Sequence, residues 1–300
     1  MQKTIFLLLL FLVSIRYTST AQNFDKLTAL ENKNIRVYYS VGHAKKTATI
    51  AGRLEKALNF HSQLIGFKPT VTLLVLSAAD WSSYTTFPVY GMPHYNDEQT
   101  LIVAAEDNAM WKGFLPPLDQ LPTELRKQIE TVYRNADGNI SMEAFFDLLA
   151  LHELGHAFHI QGGLTMQRKW MGELFCNILL HTYIAENEPG QLPALTVFPR
   201  MVINNGTKGF KFTSLQDVHE NYNEIGQFHG KNYGWYQCRW HKAAGDMYDA
   251  GGKQLVPKLW NAFKQQKEKL TDEQLILFLE TSSHKSIADM IRNWENETIK

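Results

Sequence analysis

Two histidines and a glutamate share one short segment, His152-Glu153-Leu154-Gly155-His156. In a helix, residues four apart lie one above the other on the same face. His152 and His156 would then present two imidazole nitrogens at one point, where a tetrahedral Zn²⁺ binds at about 2.0–2.1 Å. Glu153 would lie beside that point, where a carboxylate can take a proton from water and return it to a leaving group.

The residues around this segment predict the helix that the chemistry needs. Ser141 can act as its N-cap with Glu143 in the first turn, and Gly162-Gly163 ends it. The apolar side chains that would bury it are Phe145, Phe146, Leu148, Leu149 and Ala150. The H-E-x-x-H spacing is typical of zinc hydrolases. The alternative is an amphipathic helix whose histidines only fill surface or core positions.

A third ligand would define the class of zinc site. The metzincin pattern requires Gly three residues and His six residues after the second histidine, whereas this chain has His159 and Gly162 there. That class is excluded. A glutamate on a following helix remains, and Glu173, in an apolar segment seventeen residues after His156, is the candidate. An ordinary surface glutamate is the alternative, which its apolar neighbours disfavour.

With Glu173 the chain resembles the gluzincins, and within them the peptidase MA-like proteins. In these zinc peptidases the glutamate ligand is followed four residues later by a carboxylate that orients one histidine; here that position holds Asn177. The resemblance implies one zinc ion per chain, bound by His152, His156 and Glu173. It also implies a zincin-like fold.

A later aromatic segment, 232–252, extends the resemblance. In aminopeptidase-type gluzincins, a tyrosine about fifteen residues before a terminating glycine donates a hydrogen bond to the oxyanion, and Tyr236 has that spacing to Gly251. The family's glycine three residues after the tyrosine is Arg239 here, so Tyr233 and His229 remain alternatives. The alternative to a catalytic role is that the aromatic side chains of this segment form a helix face that packs into the core. The G-x-M-E-N motif, which anchors a free amino terminus, is absent from the sequence, so aminopeptidase activity is not implied.

Two other segments only approach a metal-binding pattern. His219-Glu220-Asn221-Tyr222-Asn223 has Asn223 where a second zinc motif requires histidine. The segment 135–141 resembles the middle of an EF-hand loop, but Tyr133 and Ala144 would occupy its first and twelfth positions and offer no carboxylate. A turn before the zinc helix is expected there instead of a calcium site.

The amino terminus has the three parts of a secretory signal peptide. Lys3 precedes the apolar run 5–13, and Ser19-Thr20-Ala21 provides small residues before cleavage after Ala21. The run is too short to span a membrane. We therefore expect an exported, secreted or periplasmic protein without a membrane span after removal of residues 1–21.

Charge and cysteine content exclude several classes of protein. Loss of Lys3 and Arg16 with the leader leaves a net charge of about minus two, which favours neither nucleic acid nor an anionic membrane as a partner. With 44% apolar residues, the chain can bury a full core. Cys176 and Cys238 are too few for a disulfide scaffold, and whether they pair is left open.

The pattern of apolar residues predicts an α+β fold of zincin-like type. Strands are expected at 34–40, 70–76 and 100–105, with a helix at 48–64, a loop at 90–95, and the last strand at the sheet edge where a peptide would pair. Further helices are expected at 123–133, 170–186, 236–249, 254–267, 272–280 and 286–293. Residues 22–163 would form the mixed-sheet lobe with the zinc helix, and 164–300 the helical lobe carrying Glu173.

The expected function is hydrolysis of peptide bonds by a secreted zinc metallopeptidase acting on a peptide or protein substrate. Glu153 would be the general base and Tyr236 the oxyanion donor. The alternative is an exported, non-catalytic binding protein with a structural or vestigial zinc site. A glutamate at position 153 favours the enzyme, because a structural site needs no general base.

Overall fold

The computed structural model describes residues 24–31, 34–96 and 99–296. The predicted leader, residues 1–21, lies outside this part of the chain. Five strands form one mixed sheet in the order β1-β2-β3-β5-β4. They are β1 (Thr28–Leu30), β2 (Arg36–Tyr39), β3 (Thr72–Leu76), β4 (His94–Tyr95) and β5 (Thr100–Ala104).

Helices make up most of the rest of the described chain. Those up to the histidine segment are α1 (Ala44–Ile65), α2 (Ala78–Tyr84), α3 (Ala109–Lys112), α4 (Thr123–Tyr133), α5 (Glu143–Phe146) and α6 (Leu149–Gln161). Those that follow are α7 (Trp170–Asn187), α8 (Leu192–Asn204), α9 (Leu215–Glu220), α10 (Tyr222–Phe228), α11 (Gly230–Gly251), α12 (Leu255–Gln265), α13 (Asp272–Ser282) and α14 (Lys285–Asn293).

The predicted mixture of a sheet near the amino terminus and helices after it is confirmed. Strands β2, β3 and β5 are mutually parallel, and every residue of β3 and β5 is buried, which accounts for their continuous apolar sequences. No helix in the described residues is both long and apolar enough to cross a membrane.

The sheet edge differs from the expectation. The third predicted strand, β5, lies inside the sheet, and β4 covers it in antiparallel pairing, with His94 opposite Ile102 and Tyr95 opposite Leu101. The segment 90–95, expected to be a loop, thus supplies the edge strand. A two-residue strand shows too little alternation to be found from sequence.

The histidine helix is also shorter than expected. Ser141 does not cap a continuous helix; its Oγ accepts from the backbone N–H of Glu143 at the start of the short α5, and α6 begins at Leu149. The expected end is confirmed, because Gly162 caps α6 and Gly163 takes φ of +62°.

Two helix contacts position the residues with chemistry. The first joins α6 to α7, and the second joins α7 to α11, which begins at Gly230 and not near Tyr236. Fifteen successive residues of α7, Trp170 to Ile184, are buried, so this helix runs through the core with other elements around it.

Candidate metal centre

His152, Glu153 and His156 lie on α6 as expected, close to Glu173 of α7. Glu173 Oε2 is 3.1 Å from His152 Nε2 and 3.8 Å from His156 Nε2, and Glu153 Oε2 is 4.0 Å from His156 Nε2. The four predicted residues are therefore brought together in space. Glu153 is 7% exposed and Glu173 is 7% exposed, so both carboxyl groups are largely removed from water.

The remaining ring nitrogens of the two histidines have partners within the protein. His152 Nδ1 lies 2.9 Å from Asn177 Oδ1, which is the contact expected of that amide. His156 Nδ1 lies 2.9 Å from His159 Nε2. Both Nε2 atoms are consequently the ones that face the carboxylates, and both can serve as metal ligands.

Cys176 is a second candidate for the third ligand. With His152 and His156 it forms a largely buried group whose ligand atoms lie within 4.8 Å of one another and could hold a metal ion. Its Sγ packs against the backbone of α6 at Gly155, and burial, with the nearby charges of Glu173 and Glu153, raises its pKa well above the ordinary value. A neutral thiol is a poor ligand, because the thiolate is the form that binds metal.

The histidines and carboxylates of this group shift one another's pKa values. Burial alone would raise the pKa of Glu173, but His156 and His152 outweigh it and hold this pKa well below the usual range. Burial alone would lower the pKa of His152, but the hydrogen bond to Glu173 and the charges of both carboxylates raise it. Burial lowers the pKa of His156 to about 4.

Glu153 has a different electrostatic environment. Burial raises its pKa to about 7, against the attraction of His152, and the negative charge of Glu173 adds to the rise. A backbone hydrogen bond from Tyr95 of the edge strand β4 acts in the opposite direction. Two buried carboxyl groups beside two imidazoles whose Nε2 atoms face them form a donor set that could hold a divalent cation.

Tyr222, Tyr233 and Gln237 complete the surroundings of Glu173. Tyr222 at the start of α10 donates its O–H to Glu173 Oε1. Gln237 Nε2 donates to Glu173 Oε2 at 2.8 Å and to the Tyr233 hydroxyl oxygen at 2.8 Å. Burial and the charge of Glu173 raise the pKa of Tyr233, so its phenol remains protonated.

The structure does not bring Tyr236 to this group. Its hydroxyl donates to the carbonyl oxygen of Ser214 at 2.8 Å, and its ring stacks with Trp240 and Trp294. The cause is the register of α11: Tyr233 and Gln237, four residues apart, face α7, whereas Tyr236 points away from it. His229, the other alternative, lies 3.5 Å from Glu224.

Sequence reasoning missed Gln237 and Tyr222. The i, i+4 spacing of Tyr233 and Gln237 in an aromatic helix was a signal for a shared polar face. Tyr222 belongs to the segment rejected as a second zinc motif, in which His219 accepts from the backbone N–H of Lys169 instead. Cys176 and Cys238 are both buried and unpaired in the described chain, which answers the open question of their pairing.

Comparison with protein-family models gives no match for this chain, and a search among curated proteins finds no similar sequence. Its function is therefore inferred from the residues and the geometry of the site.

Proposed function

We propose that this chain is an exported zinc metallopeptidase of gluzincin type with a zincin-like fold. The observation that carries the proposal is the convergence of His152 Nε2, His156 Nε2 and Glu173 Oε2 beside a buried Glu153. Two imidazoles and one carboxylate are the ligand set of catalytic zinc sites that keep one position open. Bound zinc would polarise a carbonyl and lower the pKa of a water molecule.

Glu173 suits the third ligand position better than Cys176. Its Oε2 already contacts the Nε2 atoms of both histidines, at 3.1 Å and 3.8 Å, and its other oxygen is held by Tyr222. The sulfur of Cys176 lies against Gly155, between the two helices, and is fully buried. A ligand there would leave little room for a substrate.

Glu153 is the residue for proton transfer. It follows His152 on the same helix, yet its Oε2 stays 4.0 Å from His156 Nε2, close to the ligand group without being its nearest oxygen. From this place the carboxylate can accept a proton from water and then donate it to the amine that leaves. A site that only stabilises the fold would not need this residue.

Tyr233 is the better candidate for the oxyanion donor. Its oxygen accepts from Gln237, and because Tyr222 donates to Glu173, the Tyr233 O–H points to the Tyr222 oxygen in a long contact of 3.4 Å, which a substrate oxygen could replace. The predicted donor Tyr236 uses its O–H on Ser214. A phenol fixed in advance at the site would stabilise the negative charge that develops on a peptide carbonyl.

The position of the sheet agrees with a peptide substrate. Strand β4 forms the sheet edge nearest the site, and Tyr95 of this strand contacts both Glu153 and Gln161 of α6. Extended peptides bind to proteins by adding to a sheet edge. A peptide placed along this edge would pass close to Glu153.

The test combines metal analysis with cleavage of a mixed peptide library by the purified chain. We expect about one zinc per chain, cleavage seen by mass spectrometry, loss of cleavage with a chelator, and recovery when zinc is returned. A chain without zinc would contradict the metal site. Zinc without cleavage of any library peptide would instead favour a non-catalytic binding protein with a structural zinc.

A further inference from the structure

His159 contacts His156 on the same helix. The two are three residues apart on α6, so their side chains lie on one face. His159 Nε2 is 2.9 Å from His156 Nδ1, and the rings meet at 64° with centroids 5.2 Å apart. This contact is a hydrogen bond between the two imidazoles in which one nitrogen must donate and the other accept.

Metal binding would fix the direction of this hydrogen bond. His156 Nε2 faces the carboxylates of Glu173 and Glu153, and a ligating nitrogen carries no proton. The proton of the neutral His156 ring then resides on Nδ1 and is donated to His159 Nε2. His159 in turn must carry its own proton on Nδ1.

Helix α7 limits the freedom of the His159 ring. A Cβ atom on Gly172 would lie 3.4 Å from His159 Nε2 and 3.5 Å from Cε1, so the imidazole faces α7 with room for little more than a methyl group between them. Phe175, one turn further along α7, meets the same ring edge-on at 87° with centroids 6.3 Å apart. The acceptor nitrogen is therefore held by packing as well as by its hydrogen bond.

We propose that His159 is a positioning residue that fixes the ring orientation and the tautomer of His156 for metal binding. This inference rests on the metal site of the proposed function. Asn177, from α7, has the equivalent place at His152. Both histidines thus have an uncharged partner where many metal sites use a carboxylate, and outer partners of this kind strengthen metal binding by about 10–100-fold.

The test compares His159→Leu, which removes the acceptor, with His159→Gln, whose amide oxygen can replace Nε2. Zinc affinity is measured on the full chain by competition with a chromophoric chelator. We expect His159→Leu to weaken zinc binding by about 10–100-fold and His159→Gln to restore most of it. The matched control is His181→Leu, a buried histidine two turns beyond Glu173 on α7 that packs against Tyr248, and zinc affinity should not change there.

A second measurement does not depend on the folding of a variant. In the zinc-loaded wild-type chain, ring ¹⁵N chemical shifts should show His156 protonated at Nδ1 and His159 protonated at Nδ1. Equal zinc affinity in wild type and His159→Leu, or the opposite tautomer at His159, would overturn the positioning role alone. A wild-type chain that binds no zinc would overturn the metal site too, whereas zinc binding without peptide cleavage would leave the positioning role intact.

Discussion

Gly155 of α6 lies directly against Cys176 of α7. A Cβ atom on Gly155 would stand 2.7 Å from Cys176 Cα and 2.9 Å from its Sγ, closer than packed carbon atoms approach. The missing side chain lets the two helices approach closely at this point. The same approach brings Glu173 to the histidines on either side of Gly155.

Gly155→Ala should therefore separate the helices. Alanine favours a helix by about 1 kcal/mol over glycine, but overpacking costs about 1–3 kcal/mol, so we expect a lower free energy of unfolding in urea and weaker zinc binding. The control is Gly52→Ala in the middle of α1, where no described atom beyond the adjacent backbone of α1 and the two neighbouring residues lies within 4 Å of the added Cβ. That change should stabilise the fold, and an equally stabilised Gly155→Ala chain would contradict the close packing.

The choice between Glu173 and Cys176 can be tested by removing each in turn. Glu173→Ala should weaken zinc binding more than about 100-fold, because two histidines alone make a poor site and the loss exceeds that of an outer partner. Cys176→Ala should change zinc affinity only slightly. Isothermal titration with zinc measures both, and the reverse result would assign the third position to the thiol.

Glu153→Gln should keep the metal and lose the activity. The substitution preserves shape but removes the carboxylate that transfers protons, which should lower the rate of peptide hydrolysis by about 10²–10⁴-fold. Zinc content per chain, measured on the same sample, should remain that of wild type. Near-normal turnover would remove Glu153 from the mechanism.

For the oxyanion donor, the structure favours a different residue from the one the sequence predicts. Tyr233→Phe should lower kcat by about 10²–10³-fold with little change in KM, as expected for the loss of one donor. Tyr236→Phe loses only its hydrogen bond to Ser214, so it should cost about 1 kcal/mol of stability and leave kcat nearly unchanged. Steady-state kinetics on both variants decides between them, and the opposite pattern would restore the original prediction.

His61 of α1 should make stability depend on pH. It is 2% exposed, next to the rings of Phe158 and Tyr183, and burial lowers its pKa from 6.5 to about 3. Between about pH 3 and pH 6.5, only the unfolded chain binds a proton at His61. The contribution of neutral His61 to the free energy of unfolding is therefore complete above pH 6.5 and is lost as the pH falls. The loss is about 1.4 kcal/mol per pH unit.

His61→Leu should remove this part of the pH dependence. Urea unfolding at pH 5 and pH 7 gives, for wild type and for the variant, the slope of the free energy of unfolding against pH. The other buried histidines are present in both chains, so their contributions cancel in the difference. Identical slopes would mean that His61 is not kept neutral by burial.

The pattern of apolar residues was sufficient for the main elements of the fold. Strands β3 and β5 are short, mostly apolar runs, and α7 is rich in apolar residues and buried from Trp170 to Ile184, so all three elements were predicted close to their observed bounds. Strand β4 was missed, because two residues carry almost no periodic signal and their pairing partners lie on another strand.

The sequence by itself determined the local part of the site. His152, Glu153 and His156 follow from helical periodicity, since residues within one turn of a helix have a fixed spatial relationship. Glu173 and Asn177 followed from resemblance to a family pattern with a defined spacing. These predictions require only one helix, or two helices with a known separation along the chain.

Only the tertiary structure decided which side chains of distant helices reach Glu173. The rotation of α11 turns Tyr233 and Gln237 towards α7 and Tyr236 towards Ser214, and one residue of register is enough to exchange them. A helix rotates by about 100° per residue, so an uncertain helix start leaves the facing residue undetermined. Contacts within a helix are fixed by spacing, whereas contacts between helices depend on how the whole core packs.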